Sequence, residues 1–553
     1  MTPTITRYTA IAALAAGIGT FSAAQTAHAA AITWTGAIDN FWDNPINWDP
    51  LVVPGQFDDV SINTGTPLTA LFGSSAHTIA GLNVSGALHL RNNSNIQLFR
   101  QRINRINGGE IRLFETARIN ATNSGSQTII DGNGLLDIRD NAQFTNSARL
   151  SASGRMVIGS TRSSETGNLL NISGAGRFNN VGTAIVRNAS MNVTGLGVVY
   201  NAPLSSFRQE NYGGVVTLQD QGHFENVGTY SKLGGTLNIG GNASFRNVSS
   251  SNLVRFSNLR GDTNITGNGF FDNDGRVSLS GGSINLSGAG VLATSSVYTQ
   301  SGGALNVHST ALFLNDAGAE SAILNGGTFR VHAGGRATNH VNRLQTGGIF
   351  NDGANVIVDA AGVIDGVGTF VHNSGTTTIN GLMVQTGVFI RQSAQGGSFG
   401  GTGRIRGRVT NSGTVGPGNS TGTLTVEGEF EQRRHGTLEI EIDSLSAFDI
   451  LAIEGNASLD GTLDLTVDAG YAATAREGDT FTIIEWESFS GAFATVTGLS
   501  FGDGLFFTLD YGAAGLTLLV NAGQVAEVSE PGAIALFCIA LAGMGIARRR
   551  HRQ

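Results

Sequence analysis

Residues Leu237–Phe245 read Leu-Asn-Ile-Gly-Gly-Asn-Ala-Ser-Phe, and this nine-residue phrase decides the fold. Apolar residues two apart lie on one face of an extended strand, so Leu237 and Ile239 point to a common interior. Gly240-Gly241-Asn242 then makes a tight corner, because glycine and asparagine accept a positive φ cheaply. A second short strand returns Phe245 to the same interior. Upstream the phrase recurs as Ile111–Ile119 (IRLFETARI), Leu136–Phe144 (LDIRDNAQF), Leu170–Phe178 (LNISGAGRF), Met191–Val199 (MNVTGLGVV) and Val216–Phe224 (VTLQDQGHF). Downstream come Thr263–Phe271, Ile284–Leu292 (INLSGAGVL), Leu305–Phe313 (LNVHSTALF), Phe329–Ala337 (FRVHAGGRA) and Val356–Ile364 (VIVDAAGVI). Successive copies start 21 to 34 residues apart.

A unit of that length with two or three short strands has the size of one coil of a parallel β-helix. The expected fold is therefore all-β, a right-handed parallel β-helix. Antiparallel hairpins would share the alternation, but the regular steps and the 8 prolines favour a coiled stack. No apolar stripe at helical spacing runs through any long stretch between the two ends. A second phrase follows several copies: Phe178-Asn179-Asn180-Val181-Gly182, Phe224-Glu225-Asn226-Val227-Gly228 and Phe245-Arg246-Asn247-Val248. Its Phe belongs in the core, and its Asn closes a turn or stacks into a hydrogen-bonded ladder. The competing functional reading sets these asparagines along a glycan groove.

Glycine contributes 79 of 553 residues, about twice the usual share, whereas charged residues make up only 13%. That excludes a coiled coil, a collagen and a plainly disordered chain. Residues 1–29 read as a secretory signal: Arg7 precedes an apolar, Ala-rich run, and Ala27-His28-Ala29 fits the A-x-A cleavage pattern. Without the first 29 and last 22 residues the chain keeps 28 basic and 41 acidic residues, a net charge of about −13. An acidic exported body argues against nucleic acid as a partner. Cys538 is the only cysteine, so no disulfide framework forms within one chain.

At the other end, Ser529-Glu530-Pro531 precedes an apolar run at 533–547 and then Arg548-Arg549-Arg550-His551-Arg552. The run is expected to be a short transmembrane helix, with the arginines holding the extreme C-terminus in the cytoplasm. Glu-Pro, an apolar helix and a terminal arginine cluster resemble a PEP-CTERM sorting tail, with Ser529 where the family has Pro. The resemblance implies recognition by an exosortase-type sorting enzyme of a Gram-negative bacterium, contact with the membrane, and retention at the cell surface or in an exopolysaccharide matrix.

The segments so delimited are a signal peptide (1–29), an N-terminal cap (30–80), β-helix repeats (81–414), a C-terminal β region (415–521) and the sorting tail (522–553). The cap segment concentrates Trp34, Trp42 and Trp48 and resembles the opening of many exported bacterial β-helical proteins through Trp34-Thr35-Gly36, Asn47-Trp48 and Val53-Pro54-Gly55. Solenoids need closed ends. The sharper alternative makes the three indoles a sugar-stacking site. The region from 415 opens with Gly416-Pro417-Gly418-Asn419-Ser420-Thr421-Gly422-Thr423-Leu424 and resembles the C-terminal part of autotransporter passenger domains.

Catalysis is not expected. A β-helical lyase or glycosidase would need clustered acids with a base, or two carboxylates on adjacent coils. Lys232 is the only lysine, Asp58-Asp59 is the only Asp pair, and Asp272 and Asp274 sit in a turn phrase that recurs without acids. His308 and His332 occupy equivalent positions in successive phrases, with no third ligand in register, so no metal or cofactor is expected. The acidic stretch between Glu427 and Glu487 reads as a solubilising end or a loose Ca²⁺ site. The leading expectation is an exported structural or adhesive β-helix of the envelope or matrix. A carbohydrate-binding adhesin stands second and a polysaccharide-degrading enzyme third.

Overall fold

The computed structural model describes residues 30–523 apart from 64–67, 72–75, 100–102, 122–126, 132–134, 139–141, 147–148, 153–154, 159–167, 211–212, 249–253, 317–321, 341–347, 393–395 and 503. The signal segment with Ala27 and Ala29 therefore lies outside the described residues. So does the tail with Ser529, Glu530, Pro531, the apolar run 533–547, Arg548, Arg549 and Arg550. Among the described residues no helix is long and apolar enough to cross a membrane.

The chain winds into a parallel β-solenoid of about 15 turns with almost no helix. One turn shows the construction. Thr236–Ile239, Ser244–Asn247 and Arg255–Asn258 form its three sides, and Asp262–Ile265 starts the next turn directly on Thr236–Ile239. We call the sides carrying Ser244–Asn247, Arg255–Asn258 and Thr236–Ile239 the first, second and third faces. Each strand pairs in parallel, in register, with the same face one turn before and one turn after. Alternation sends Leu237, Ile239, Phe245 and Phe256 inward and leaves Asn238 and Ser257 on the outside.

Corner chemistry explains the phrase. The second residue of the polar triplet takes a positive φ in turn after turn: Gly174 (59°), Gly195 (62°), Gly241 (62°), Gly267 (60°) and Gly288 (61°), with Asp220 (58°) and Ser309 (44°) at equivalent places. The small residue that follows packs tightly, since a Cβ on Gly222 would lie 2.3 Å from the Val193 carbonyl oxygen. From Tyr298 onward the second and third faces merge into long bent strands such as Tyr298–Val307 and Ala322–Val331, which bend at glycine pairs.

The phase of the phrase changes along the coil. From Leu170 onward it spans the corner from third to first face. The copies Ile111–Ile119 and Leu136–Phe144 instead span the corner from second to third: Leu170 stacks on Phe144, whereas Leu136 stacks on Met156. The 34-residue step between the copies starting at Leu136 and Leu170 is thus one turn plus one face, not a longer turn.

Six aromatic rings, Phe207, Phe224, Tyr230, Phe245, Phe256 and Phe271, interleave from the first and second faces at centroid spacings of 4.7 to 5.4 Å. At the N-terminal end, Trp48–Asp49 lies antiparallel along the outer edge of Ala31–Trp34, the strand on which Asp59–Ile62 is stacked. At the other end the coil passes into antiparallel pairing, as Gly515–Ala522 joins Thr480–Gly491 and Leu505–Tyr511.

Candidate functional site

The asparagines of the second phrase lie inside. Asn180, Asn201, Asn226, Asn247 and Asn273 stack in one column at the end of the first face, all fully buried. Each side-chain amide donates to the next oxygen: Asn180 to Asn201 (2.7 Å), Asn201 to Asn226 (2.6 Å), Asn226 to Asn247 (2.7 Å) and Asn247 to Asn273 (2.7 Å). The same amides donate to main-chain carbonyls at the corner, Asn180 to Ser206 (2.9 Å) and Asn201 to Thr229 (3.2 Å). This is a ladder that satisfies the buried corner, and a glycan groove lined by these residues is excluded by their burial.

A different column faces outward. On the third face Thr78, Gln97, Asn120, Thr145, Asn171, Asn192, Thr217, Asn238, Asn264, Asn285 and Asn306 stand in register on successive turns. All are half-buried, and none carries a charge. Parallel strands lie about 4.8 Å apart, so ten steps make a strip of about 48 Å. Its amides are mutually oriented: Asn306 donates to Asn285 (2.9 Å), Asn285 to Asn264 (3.0 Å) and Asn264 to Asn238 (3.0 Å). Each of those acceptor oxygens has a second lone pair beyond that bond. Arg330 ends the strip on the next turn.

This column is not among the sequence-derived candidates, because the position between the two apolar residues is unconstrained by the strand pattern. Its signal was the recurrence of one residue type at one phrase position: Asn171, Asn192, Asn238, Asn264, Asn285 and Asn306.

The sugar-stacking reading of the tryptophans is corrected. Trp34, Trp42 and Trp48 are at most 1% exposed and pack edge to face, with centroids 5.0 Å apart for Trp34–Trp48 and 4.7 Å for Trp42–Trp48. The Trp48 indole N–H donates to the Trp42 carbonyl at 2.7 Å. Rings so covered have no face for a pyranose.

His308 and His332 do stack, with centroids 4.0 Å apart and planes at 12°. A third group is in register after all, since Asp359 follows His332 at the same place on the next turn, its oxygen 3.2 Å from His332 Nδ1. That carboxylate is gripped by the Arg330 guanidinium through two bonds of 2.9 Å. Burial first, then the neighbouring His308 and Arg330, push the His332 pKa down. Among the described residues no group of three or more His, Cys, Asp or Glu is placed to hold a metal ion.

Asp272 and Asp274 both meet Arg246, at 3.3 and 3.2 Å. The acids after Glu427 are paired across turns. Arg404 and Arg406 both reach Glu427, Arg404 also reaches Glu454 (3.0 Å), and Arg408 reaches Glu431 (2.8 Å). These arginines lie one or two turns upstream, outside the acidic stretch that they neutralise. In the same region Asp449 is 1% exposed and accepts from the main-chain N–H of Gly422 and of Glu441, both at 2.9 Å, stapling the Gly418–Gly422 loop to the coil.

The buried column at the end of the second face was also missed. It runs Gln209, Lys232, Asn258, Leu279, Gln300, Leu324, Asn351 and His372, and its polar members are at most 1% exposed. The signal was parity: Tyr230-Ser231-Lys232 puts Lys232 on the side of a core tyrosine.

No family model matches the chain, and no curated protein does. Among solved structures, the chain is similar to a hyper-glycosylated TibA fragment (55–350), glycosylated by TibC, at 13% identity and a TM-score of 0.24. The match covers 77% of this chain and 98% of that one.

Proposed function

We propose that the protein is an exported, surface-retained β-solenoid with a structural and adhesive role in the cell envelope or exopolysaccharide matrix, acting without catalysis. The single observation that supports this reading is the uncharged column from Thr78 to Asn306. It offers hydroxyls and oriented amides at a constant spacing on a rigid sheet, without the paired carboxylates or lysine base of a cleaving enzyme. The carbohydrate-binding alternative moves from the tryptophans to this strip, whose chemistry suits an uncharged, hydroxyl-rich polymer. Other parts of the reading rest on the sequence alone: cleavage after Ala29, sorting through Ser529-Glu530-Pro531 by an exosortase-type enzyme, and a membrane helix at 533–547. A right-handed coil belongs to the same reading, as that hand prevails in parallel crossovers.

The test mixes the purified protein with neutral and anionic extracellular polysaccharides and follows co-sedimentation and polymer length in one tube. Binding of the neutral polymer at unchanged length is the expected result. Shortened polymer would establish an enzyme, and the absence of binding to any polysaccharide would overturn the adhesive reading.

A further inference from the structure

The chain's single lysine is inside the solenoid. Lys232 is fully buried on the second face, and its register partner on the next turn is Asn258, also fully buried. Adjacent parallel strands place such partners about 4.8 Å apart with side chains pointing the same way. The lysine reaches forward toward that next turn, because its Nζ donates to the Arg260 carbonyl oxygen at 2.9 Å, two residues beyond Asn258. Space over the amine is closed by glycine: a Cβ on Gly261 would lie 2.9 Å from Nζ. Tyr230 and Phe256, stacked at 5.2 Å, precede the pair on the same two strands and keep it dry.

Asn258 differs from the asparagines of the first-face ladder. Its Nδ2 donates to the Ser283 carbonyl oxygen (3.1 Å), but its buried Oδ1 has no hydrogen-bond partner among the described residues. A carboxamide with an orphaned oxygen beside a dry amine is a costly arrangement unless the two groups react. Asp262 stands on the third face just after the corner, and its charge acts on the Lys232 amine. Its carboxylate is exposed on the outer side of the wall, where it accepts from the Ser283 hydroxyl at 2.6 Å.

We propose that Lys232 Nζ and Asn258 Cγ join in an intramolecular amide bond that staples two successive turns of the solenoid. The lysine amine, as the free base, attacks Cγ. The Cγ–Nδ2 bond then breaks, and a proton leaving Nζ passes to Nδ2, which departs as ammonia. The atoms balance as amine plus carboxamide giving secondary amide plus ammonia, with no change of oxidation state. Burial supplies the free base, since it pulls the lysine pKa down from 10.5 to about 7. Lys232 supplies the nucleophile in this step.

Peptide mapping of the full-length folded protein by mass spectrometry tests this. The expected result is one linked species containing the Lys232 and Asn258 peptides, lighter than their sum by one ammonia. Lys232→Arg and Asn258→Ser should each abolish that species. Recovery of Lys232 in an unlinked peptide from the native protein overturns the proposal, without need of any variant. Loss of ammonia within the Asn258 peptide alone, the mark of a succinimide, overturns it too.

Discussion

The buried asparagine ladder makes a quantitative prediction when set against the exposed one. Asn226 accepts from Asn201 at 2.6 Å and donates to Asn247 at 2.7 Å and to the carbonyls of Gly228 and Arg255 at 3.2 Å. Asn226→Ala leaves the Asn201 amide its bond to Thr229 and the Gly228 carbonyl the Arg255 N–H at 3.3 Å, but strips the Asn247 oxygen and the Arg255 carbonyl of this donor. Two buried acceptors left unmet cost about 1–3 kcal/mol each, so the turn should lose about 2–6 kcal/mol. Asn238→Ala, two strands later on the outside, removes a similar bond where water can replace it, and should cost under about 0.5 kcal/mol. A solenoid turn contacts only its neighbours, so the loss stays local. Native-state hydrogen exchange reads it at the amides of Val227 and Val248, bonded across turns at 2.8 and 2.9 Å. A difference of about 2 kcal/mol or more is roughly a 30-fold rise in local opening for Asn226→Ala over Asn238→Ala. Equal exchange in the two variants would refute the claim that these columns face opposite sides of the wall.

Placing charge in the neutral strip, as Asn238→Arg with Asn264→Arg, should weaken co-sedimentation with neutral polysaccharide by roughly tenfold or more, the size of one or two lost polar contacts. Ser257→Arg on the second face should leave it unchanged, and equal losses would mean that the strip is not the contact. His372 is 1% exposed, and burial depresses its pKa from 6.5 to about 4. Its neutral form therefore stabilises the fold fully above pH 6.5, and the contribution is lost as pH falls toward 4, up to about 3 kcal/mol in all. His372→Asn should flatten that acid limb in urea titrations between those pH values, and an unchanged slope would show that another group carries it. Trp48→Ala should cost about 3–5 kcal/mol at the N-terminal end, seen as a lower melting temperature, while polysaccharide binding stays intact. Loss of binding by a folded Trp48→Ala protein would restore the sugar-stacking reading.

The coil itself was legible because its two requirements are local. Leu237 and Ile239 need only a period of two, and Gly240-Gly241-Asn242 needs only a residue tolerant of positive φ. The stacking of His308 on His332 was legible for the same reason, as equal positions in equal phrases land on the same spot one turn apart. The burial of Trp34, Trp42 and Trp48 was not legible, because it depends on a loop held by Asn47, whose amide and oxygen tie it to Phe41, Ile38 and Asp39. The partners of Glu427 were hidden by distance along the chain, since an ion pair between turns joins residues about one coil apart rather than neighbours.

What the repeat leaves open is its phase, and polar residues supply it. A corner flanked by two short apolar strands suits any of the three corners, and Ile111–Ile119 and Leu170–Phe178 occupy different ones with the same pattern. The buried columns lack that freedom. Asn226 must stand where Asn201 and Asn247 also stand, and a slip onto the third face would set each amide against apolar residues such as Leu218 and Ile239, at the cost of several unmet hydrogen bonds. Apolar spacing therefore drives coiling, and the inward asparagines hold the coil in a single register. The outward column is straight only because that register is held, and a ligand spanning many turns can be met only by a straight column. On this reasoning Asn226→Ala, which never touches the outer strip, should also weaken binding of long neutral chains more than of short ones. Equal weakening for both lengths would separate the ladder from the strip.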